Sequence, residues 1–431
     1  MSSDQINYRL DGVYRQRQEG FLMQRVKLPT GVISSLQARA VARIAKTFGK
    51  ETIHLTSRGS MEIHWIRETD LPEVKIELAK AGLTSRGACG GAVRGVTCGS
   101  QGAHGFPALE SMARQIHRHF TGNPRFERLP KKFKIGIEAD MVGGRHLIQD
   151  VGLVLARIDN GKACYDAWIA GGLGRQPRPA FFLARELPEE RIIPLIEAVL
   201  KVYIDHAPPP KRLKYLASEL GEENLRRLIE SEPLYSEELP PHDGLPENNV
   251  SANSLHQARL PVFAGQLTNE ELAAIADISD RCARGILIVS SDQDILFPLD
   301  DNTSPDQAVT ALKQAGFTVA SPLDNLRFRI CPGSHECLMG LAPVRDIARE
   351  AALAIPPDLL ERVWSISGCP NSCTQPQLAD VGIVTSRLTA TDEGVKTPRF
   401  DIYRRTGAEL GQTVRESLTG AELLEAIRLM G

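Results

Sequence analysis

Apolar positions in this chain change rhythm every few tens of residues, and the whole rhythm is written twice. Between Gly20 and Leu83, alternation over residues 22–28 predicts a strand, and apolar residues three and four apart over 34–47 predict a helix. Short apolar runs at 53–55 and 61–65 predict a strand pair, and helical spacing returns over 70–81. The order recurs downstream as a strand at 259–263, a helix at 268–283, strands at 286–289 and 294–299, and a helix at 304–315.

A second pair of segments echoes in the same way. Asp150-Val151-Gly152-Leu153-Val154 is followed by Tyr165-Asp166 and the Gly-rich end Gly171-Gly172-Leu173-Gly174. Downstream, Asp380-Val381-Gly382-Ile383-Val384 is followed by Phe400-Asp401 and ends at Leu410-Gly411. The chain therefore reads A-B-A′-B′, and each A copy has the β-α-β-β-α order of half a ferredoxin-like sheet. Two copies imply duplication and fusion, since a solenoid needs more repeats. The expected fold class is α+β, with half-domains at 1–84 and 256–322, larger modules at 85–232 and 323–431, and a linker at 233–255. Pro, Glu, Asn and Ser collect in that linker.

Composition narrows the class without naming a function. At 431 residues the chain is long enough for two or three domains with real cores. A formal net charge of −2 gives no global reason to expect nucleic acid or a membrane surface as partner. The N-terminus lacks a basic segment followed by an apolar one, and no apolar run approaches the roughly eighteen residues of a membrane span. A cytoplasmic location with reduced thiols is expected.

The thiols carry the chemistry. Cys331 and Cys337 lie in Cys-Pro-Gly-Ser-His-Glu-Cys, and Cys369 and Cys373 lie in Cys-Pro-Asn-Ser-Cys, with thirty-one residues between the motifs. An iron–sulfur cube needs four thiolates arriving from different directions, and two short loops rich in Gly, Pro, Asn and Ser can supply them. Structural zinc takes cysteine pairs about two to four residues apart, so the gap of five argues against it. A disulfide is disfavoured because nothing else in the chain looks secreted. Cys89, Cys98, Cys164 and Cys282 lack ligand spacing and read as buried core thiols.

The C-x5-C…C-x3-C order resembles the siroheme/[4Fe–4S] sulfite and nitrite reductase family, whose four-part architecture matches the A-B-A′-B′ order over nearly the whole chain. The resemblance implies that Cys331, Cys337, Cys369 and Cys373 hold a [4Fe–4S] cluster and that Cys373 also bridges to siroheme iron. It further implies an anion-binding set of four cations, falling here on Arg58, Arg94, Lys132 and Lys134. Sulfite is a strongly hydrated anion and siroheme carries eight carboxylates, so clustered Arg and Lys offset the desolvation cost. In Leu129-Pro130-Lys131-Lys132-Phe133-Lys134, strand alternation sends Lys132 and Lys134 to one side and Phe133 to the core.

Taken alone, a Lys-Lys-Phe-Lys run is most often a solvated strand edge. Lys134 favours sulfite, because the nitrite-reducing branch typically has Asn there; the Gly-Ala-Cys-Gly lead-in to Arg94 and the Cys-Pro-Asn-Ser-Cys segment look like nitrite reductases instead. Gly91, Gly95, Glu62, His335 and Glu336 depart from the family pattern, and Glu62 brings a negative charge toward a site expected to be positive. The Gly171–Gly174 run, followed by Arg175 and Arg178, suits an anion cradle of backbone N–H groups but lacks P-loop or dinucleotide spacing.

The expected reaction is six-electron reduction of sulfite to sulfide. No flavin or nicotinamide motif is visible, so the expected donor is a separate ferredoxin or flavoprotein subunit. The alternatives are nitrite reduction to ammonia at the same site, a precorrin-3B synthase-like tetrapyrrole oxygenase, and a non-enzymatic cluster- or tetrapyrrole-binding protein.

Overall fold

The structure is a computed structural model that describes residues 8–207, 211–233, 256–318, 326–390 and 394–430. Apart from Pro233, the expected linker lies outside the described residues. The chain divides into two compact units, one within 1–13, 27–30 and 85–255, the other within 14–26, 31–84 and 256–431. Among the described residues no helix is long and apolar enough to cross a membrane.

The first segment runs β1 (Val13–Arg15), β2 (Phe21–Val26), β3 (Val32–Ser34), α1 (Ser35–Phe48), β4 (Thr52–Leu55), β5 (Met61–Arg67) and α2 (Leu71–Lys80). The second runs α3 (Phe106–Phe120), β6 (Ile135–Glu138), β7 (Val151–Asp159), β8 (Lys162–Ile169), β9 (Phe181–Pro188), α4 (Glu189–His206), α5 (Leu213–Leu220) and α6 (Glu222–Glu230). The half-domain order then returns as β10 (Gln257–Leu260), β11 (Gln266–Thr268), α7 (Asn269–Cys282), β12 (Ile286–Val289), β13 (Ile295–Pro298) and α8 (Pro305–Gln314). The last segment holds β14 (Arg327–Ile330), α9 (Val344–Ala354), β15 (Val363–Ser367), β16 (Val381–Ala390), β17 (Lys396–Arg404), β18 (Gln412–Leu418) and α10 (Gly420–Arg428).

The half-domains share more than an element order. Ser34 caps α1 with Gln37 closing a capping box, and Thr268 with Glu271 does the same for α7. Each copy also lends a three-residue strand to the other copy's sheet. The sheets run β1-β2-β5-β4-β11 and β10-β13-β12-β3, with Leu267 opposite Ile53 and Leu287 opposite Ile33. The exchange covers one edge of each sheet, and α1 packs against α7. Three residues carry too little alternation to announce a strand, so periodicity alone does not reveal this exchange.

The two larger modules repeat in fine detail, each within its own unit. One sheet runs β6-β7-β8-β9 with β6 parallel to β7; the other runs β14-β15-β16-β17-β18 with the first three strands parallel. Asp150 accepts the Lys134 N–H at 2.8 Å, and Asp380 accepts the Val363 N–H at 2.8 Å. Asp166 accepts the Glu186 N–H at 2.8 Å and Asp401 the Ser417 N–H at 2.9 Å; Glu186 and Ser417 both have positive φ, 48° and 59°. The ladder shifts register between Leu155 and Arg157 and again between Thr385 and Arg387. Gly152 and Gly382 stand where a Cβ would fall 2.4 Å from the His146 oxygen and 2.1 Å from the Pro376 oxygen. The Asp-Val-Gly echo is thus an Asp that anchors a neighbouring strand and a Gly that admits a crossing turn.

Candidate functional site

Strand direction brings the cysteine loops together. β14 and β15 are parallel neighbours, with Ile330 opposite Ile366, so both deliver their following loops to the same sheet edge. Cys331 leaves the end of β14, and Cys369 follows β15 by two residues. Cys337 comes after a short helical turn, Gly333–His335, and its N–H donates to the Gly333 oxygen at 3.0 Å. Cys373 lies between Ser372 and Gln375, both of positive φ. None of the four thiols is in a disulfide; Cys369 is buried, Cys331 half-buried, and Cys337 and Cys373 exposed.

The electrostatics place these sulfurs in one neighbourhood. Burial first, then the charge of Cys373, pushes the Cys331 thiol well above its usual range and the Cys369 thiol up to about 12. Desolvation by the surrounding loop also raises Cys337, although its side chain keeps contact with solvent, again with a contribution from Cys373. Backbone N–H groups oppose these shifts: Gly368 donates to the Cys331 Sγ at 3.1 Å, with Gly333 also acting on Cys331, Gly340 and Met339 on Cys337, and Asn371 on Cys369. Thiols gathered this closely resist losing their protons together until a metal supplies positive charge. Among the described residues no three Cys, His, Asp or Glu converge tightly enough for a single ion. A cube does not require that convergence, because each thiolate takes its own iron. Donor chemistry and sulfur-directed N–H groups fit a [4Fe–4S] cluster.

Several contacts brace the loops. Ser57 Oγ donates to the Cys373 carbonyl at 2.7 Å, and Gln375 Nε2 donates to the Ser57 carbonyl at 2.8 Å. The β4–β5 turn that carries half-buried Arg58 is thereby tied to the second cysteine loop. Gln293 Nε2 donates to the Leu55 and Ile330 carbonyls at 2.7 and 3.0 Å, and its Oε1 accepts the Ile330 N–H at 2.6 Å. Gln293, to which no sequence motif points, therefore joins the ends of β4 and β14. The first loop is held by the Arg17 N–H on the Glu336 carbonyl at 2.8 Å, by Gln18 Nε2 on the His335 carbonyl at 2.5 Å, and by the Arg17 guanidinium on the Gly340 carbonyl.

The unexpected acids turn out to be compensated. Glu336 is buried and pairs with Arg345 at 2.8 Å, while His335 Nε2 lies 3.5 Å from Asp346. Glu62 is buried and accepts from Arg25 Nε at 3.0 Å, with His64 Nε2 at 3.3 Å. Burial opposes ionisation of Glu62, but Arg25 and His64 outweigh it and hold the carboxyl well below its usual range. Burial lowers nearby His54 to about 3, so that ring is neutral. Arg25 thus cancels the negative charge that Glu62 brings.

The other three expected cations belong to the first unit. Arg94 is buried; its guanidinium donates to the Ala88 carbonyl and, at 2.9 Å, to the Gly90 carbonyl, and its N–H donates to the Phe133 carbonyl at 2.8 Å. Phe133 is 0% exposed and packs 6.0 Å from Tyr203, between half-buried Lys132 and Lys134. Further buried cations, Arg212, Lys214 and Lys27 among them, carry no signal in the sequence because none sits in a motif. Arg212 pairs with Asp150 at 2.9 Å. Lys214 Nζ donates to the Leu173 carbonyl at 3.1 Å, the Gly172 carbonyl at 3.4 Å and the Gln176 carbonyl. Lys27 Nζ donates to Thr121 Oγ1 at 2.8 Å. Burial, followed by the charges of Arg94 and Arg212 respectively, lowers Lys27 to about 7 and Lys214 to about 8. The Gly171–Gly174 run therefore offers carbonyls to buried cations, Gly171 to Arg212 and Gly172 and Leu173 to Lys214.

Doubled ferredoxin-like half-domains, doubled modules and one set of cysteine loops define an α+β oxidoreductase built by duplication. Residues 14–81 match the nitrite/sulfite reductase ferredoxin-like half domain, and residues 101–236 match the nitrite and sulphite reductase 4Fe-4S domain. The chain belongs to the nitrite and sulfite reductase family. The 101–236 match contains Cys164 but neither cysteine loop, so it records the module fold and not the four thiols. Over 94% of its length the chain is 26% identical to sulfite reductase [ferredoxin] 2 of Mycolicibacterium paratuberculosis, covering 80% of that protein. It is 28% identical to the ferredoxin–nitrite reductase of Synechococcus elongatus, covering 95% of this chain and 85% of that one. The structure of the Mycobacterium tuberculosis NirA protein shares the fold, with a TM-score of 0.84 at 23% identity over 99% of this chain and 87% of that chain.

Proposed function

We propose that this chain reduces sulfite to sulfide with six electrons delivered by a separate ferredoxin or flavoprotein. Cys331, Cys337, Cys369 and Cys373 would hold a [4Fe–4S] cluster, and Cys373 would also ligate siroheme iron. When bound, the siroheme supplies an iron that takes the anion and, with the cluster, passes electrons to it. The observation that carries this reading is the gathering of four thiols at the ends of β14 and β15, with backbone N–H groups aimed at their sulfurs. Arg58, Arg94, Lys132 and Lys134 would neutralise the anion's oxygens, and the ammonium Nζ atoms of Lys132 and Lys134 would release protons as water leaves. A ferredoxin donor is supported by relatives whose names specify ferredoxin.

Sulfite is preferred over nitrite because Lys134 would add a second lysine to the anion-binding set, which suits the more highly charged anion. Nitrite reduction is the second reading, favoured by the similarity to ferredoxin–nitrite reductases. The deciding experiment is an absorption spectrum and iron–sulfide assay on anaerobically purified protein, followed by turnover of each anion with reduced methyl viologen. Siroheme bands, a cluster's complement of iron and sulfide, and a higher kcat/KM for sulfite are expected. A higher kcat/KM for nitrite reverses the substrate assignment. A chain that binds neither cofactor, even after reconstitution, overturns the reductase reading.

A further inference from the structure

The sheet β1-β2-β5-β4-β11 has two faces of opposite character. Ile53 and Leu55 of β4 and Met61 and Ile63 of β5 are wholly buried in the core. Alternation turns Glu62 and His64 to the other face, and the register sets Arg25 of β2 and His54 of β4 across from Glu62. Glu62, His54 and His64 are buried there too, and Arg25 is half-buried. An enclosed face built from four ionisable side chains is costly unless its charges serve a purpose or are fully paired.

This face reaches the first cysteine loop. Gln16 bridges to Cys337, and its Oε1 accepts the N–H of Trp65, the neighbour of His64, at 2.6 Å. The charge of Glu62 acts on Cys337, and the charge of Arg345 on α9 acts on His54. Most other charges around the loop cancel or stand in water. Glu336 and Arg345 are paired at 2.8 Å and equally enclosed, with side-chain exposures of 6% and 5%. His335 and Arg349 both lie against Asp346, at 3.5 and 3.0 Å. Arg15, Arg17, Glu19, Arg349 and Glu350 are exposed, so solvent and salt screen them.

The pair of Glu62 with Arg25 is different. It is neutral as a whole, but the Glu62 side chain is 7% exposed and that of Arg25 is 28% exposed. Water therefore weakens the field of the guanidinium more than that of the carboxylate, and a net negative field remains on the enclosed side. We propose that Glu62 lowers the reduction potential of the cluster held by Cys337 and its three partners. Reduction adds one electron from the donor to the cluster and makes or breaks no bond, so a fixed negative charge beside the ligand opposes it directly. A cluster of lower potential passes its electron onward more readily. This proposal rests on the reductase reading, and the two fail differently.

The test is a redox titration of anaerobically purified protein, following the electron paramagnetic resonance signal of the reduced cluster. Wild type is compared with Glu62→Gln and Glu62→Met, which remove the charge, and with Glu62→Asp, which keeps it. In both neutral variants the ratio of reduced to oxidised cluster at a fixed potential is expected to rise about tenfold, an upward shift of about 59 mV for a one-electron couple. Glu62→Asp is expected to titrate with wild type. Iron and acid-labile sulfide per chain stay at wild-type levels in all three, and if one neutral variant loses its cluster the other decides. An unchanged or lower potential in a neutral variant with its cluster intact overturns the proposal and leaves the reductase reading standing. An upward shift in Glu62→Asp equal to that in Glu62→Gln also overturns it, because packing and not charge then moves the potential. Loss of the cluster from both neutral variants overturns it as well, since Glu62 is then needed to hold the loop. A wild-type chain that binds no cluster, even after reconstitution, removes the reductase reading and this proposal with it.

Discussion

Lys27 is a buried ammonium whose hydrogen bond is to a hydroxyl, Thr121 Oγ1 at 2.8 Å, with the charge of Arg94 close enough to act on it. Glu127, the carboxylate that opposes the shift, is engaged by Arg86 at 2.6 and 2.5 Å. Burial followed by Arg94 brings the folded-state pKa down from 10.5 to about 7. The unfolded chain then binds more protons between about pH 7 and 10.5, so the stability contributed at this site rises with pH across that window. Below about pH 7 both states are protonated and the full cost of burying the charge is present. Lys27→Met removes that cost, and the variant is expected to melt above wild type at pH 6 by an increment worth on the order of 1–3 kcal/mol. The gap should narrow by pH 9, where wild-type Lys27 is already neutral. Thermal scans of both proteins at the two pH values check this; a gap that does not change with pH would mean that Lys27 is charged throughout.

At the scale of elements, much is legible in the sequence because burial imposes period. The helices at 34–47 and 268–283 and the strand at 286–289 lie where the apolar spacing puts them. The exchanged strands β3 and β11 are not legible, since pairing between distant segments leaves no trace in three residues. Gln293 is equally silent: its role comes from where the chain ends of β4 and β14 meet, and a lone glutamine in a turn carries no signal. The Asp-Val-Gly echo is visible as a repeat, but its cause, a turn crossing within van der Waals distance of glycine, appears only in three dimensions. That cause separates the two copies experimentally. Gly382→Ala would push β16 from the Pro376–Leu378 turn, which follows Cys373 within a few residues, whereas Gly152→Ala disturbs the corresponding turn of a module without the cysteine loops. Each is expected to cost about 1–3 kcal/mol by overpacking. Only Gly382→Ala should lower the iron retained per chain, measured after anaerobic desalting. Equal iron loss in both variants would show that overpacking acts through global stability alone.

At the scale of the whole molecule, duplication supplied two equivalent frames and the chain placed its thiol loops in one. Residue type and spacing make those loops legible in the sequence, because cysteine chemistry depends on few residues close along the chain. The buried cations of the first unit, Lys27, Arg212 and Lys214, are illegible there because their neighbours are carbonyls, a hydroxyl and an aspartate far along the chain. The remaining cysteines test whether the division of labour is real. Cys89, Cys98, Cys164 and Cys282 are all buried and in no disulfide. Cys98 is the most demanding control, because it follows Thr97, which bridges in parallel to Gly136 of β6, and so sits near a strand end as Cys331 does. Burial holds its thiol well above the usual range as it does that of Cys331, but the charge acting next on Cys98 is the Glu138 carboxylate, whereas on Cys331 it is another thiol, Cys373. Cys98→Ala should therefore cost about 1 kcal/mol of packing while leaving iron and acid-labile sulfide unchanged. Cys331→Ala should lose most of both, together with the cluster's contribution to the visible spectrum. If Cys98→Ala lost iron to the same extent as Cys331→Ala, the first module would share in holding the metal, and the assignment of all four ligands to the second would fail.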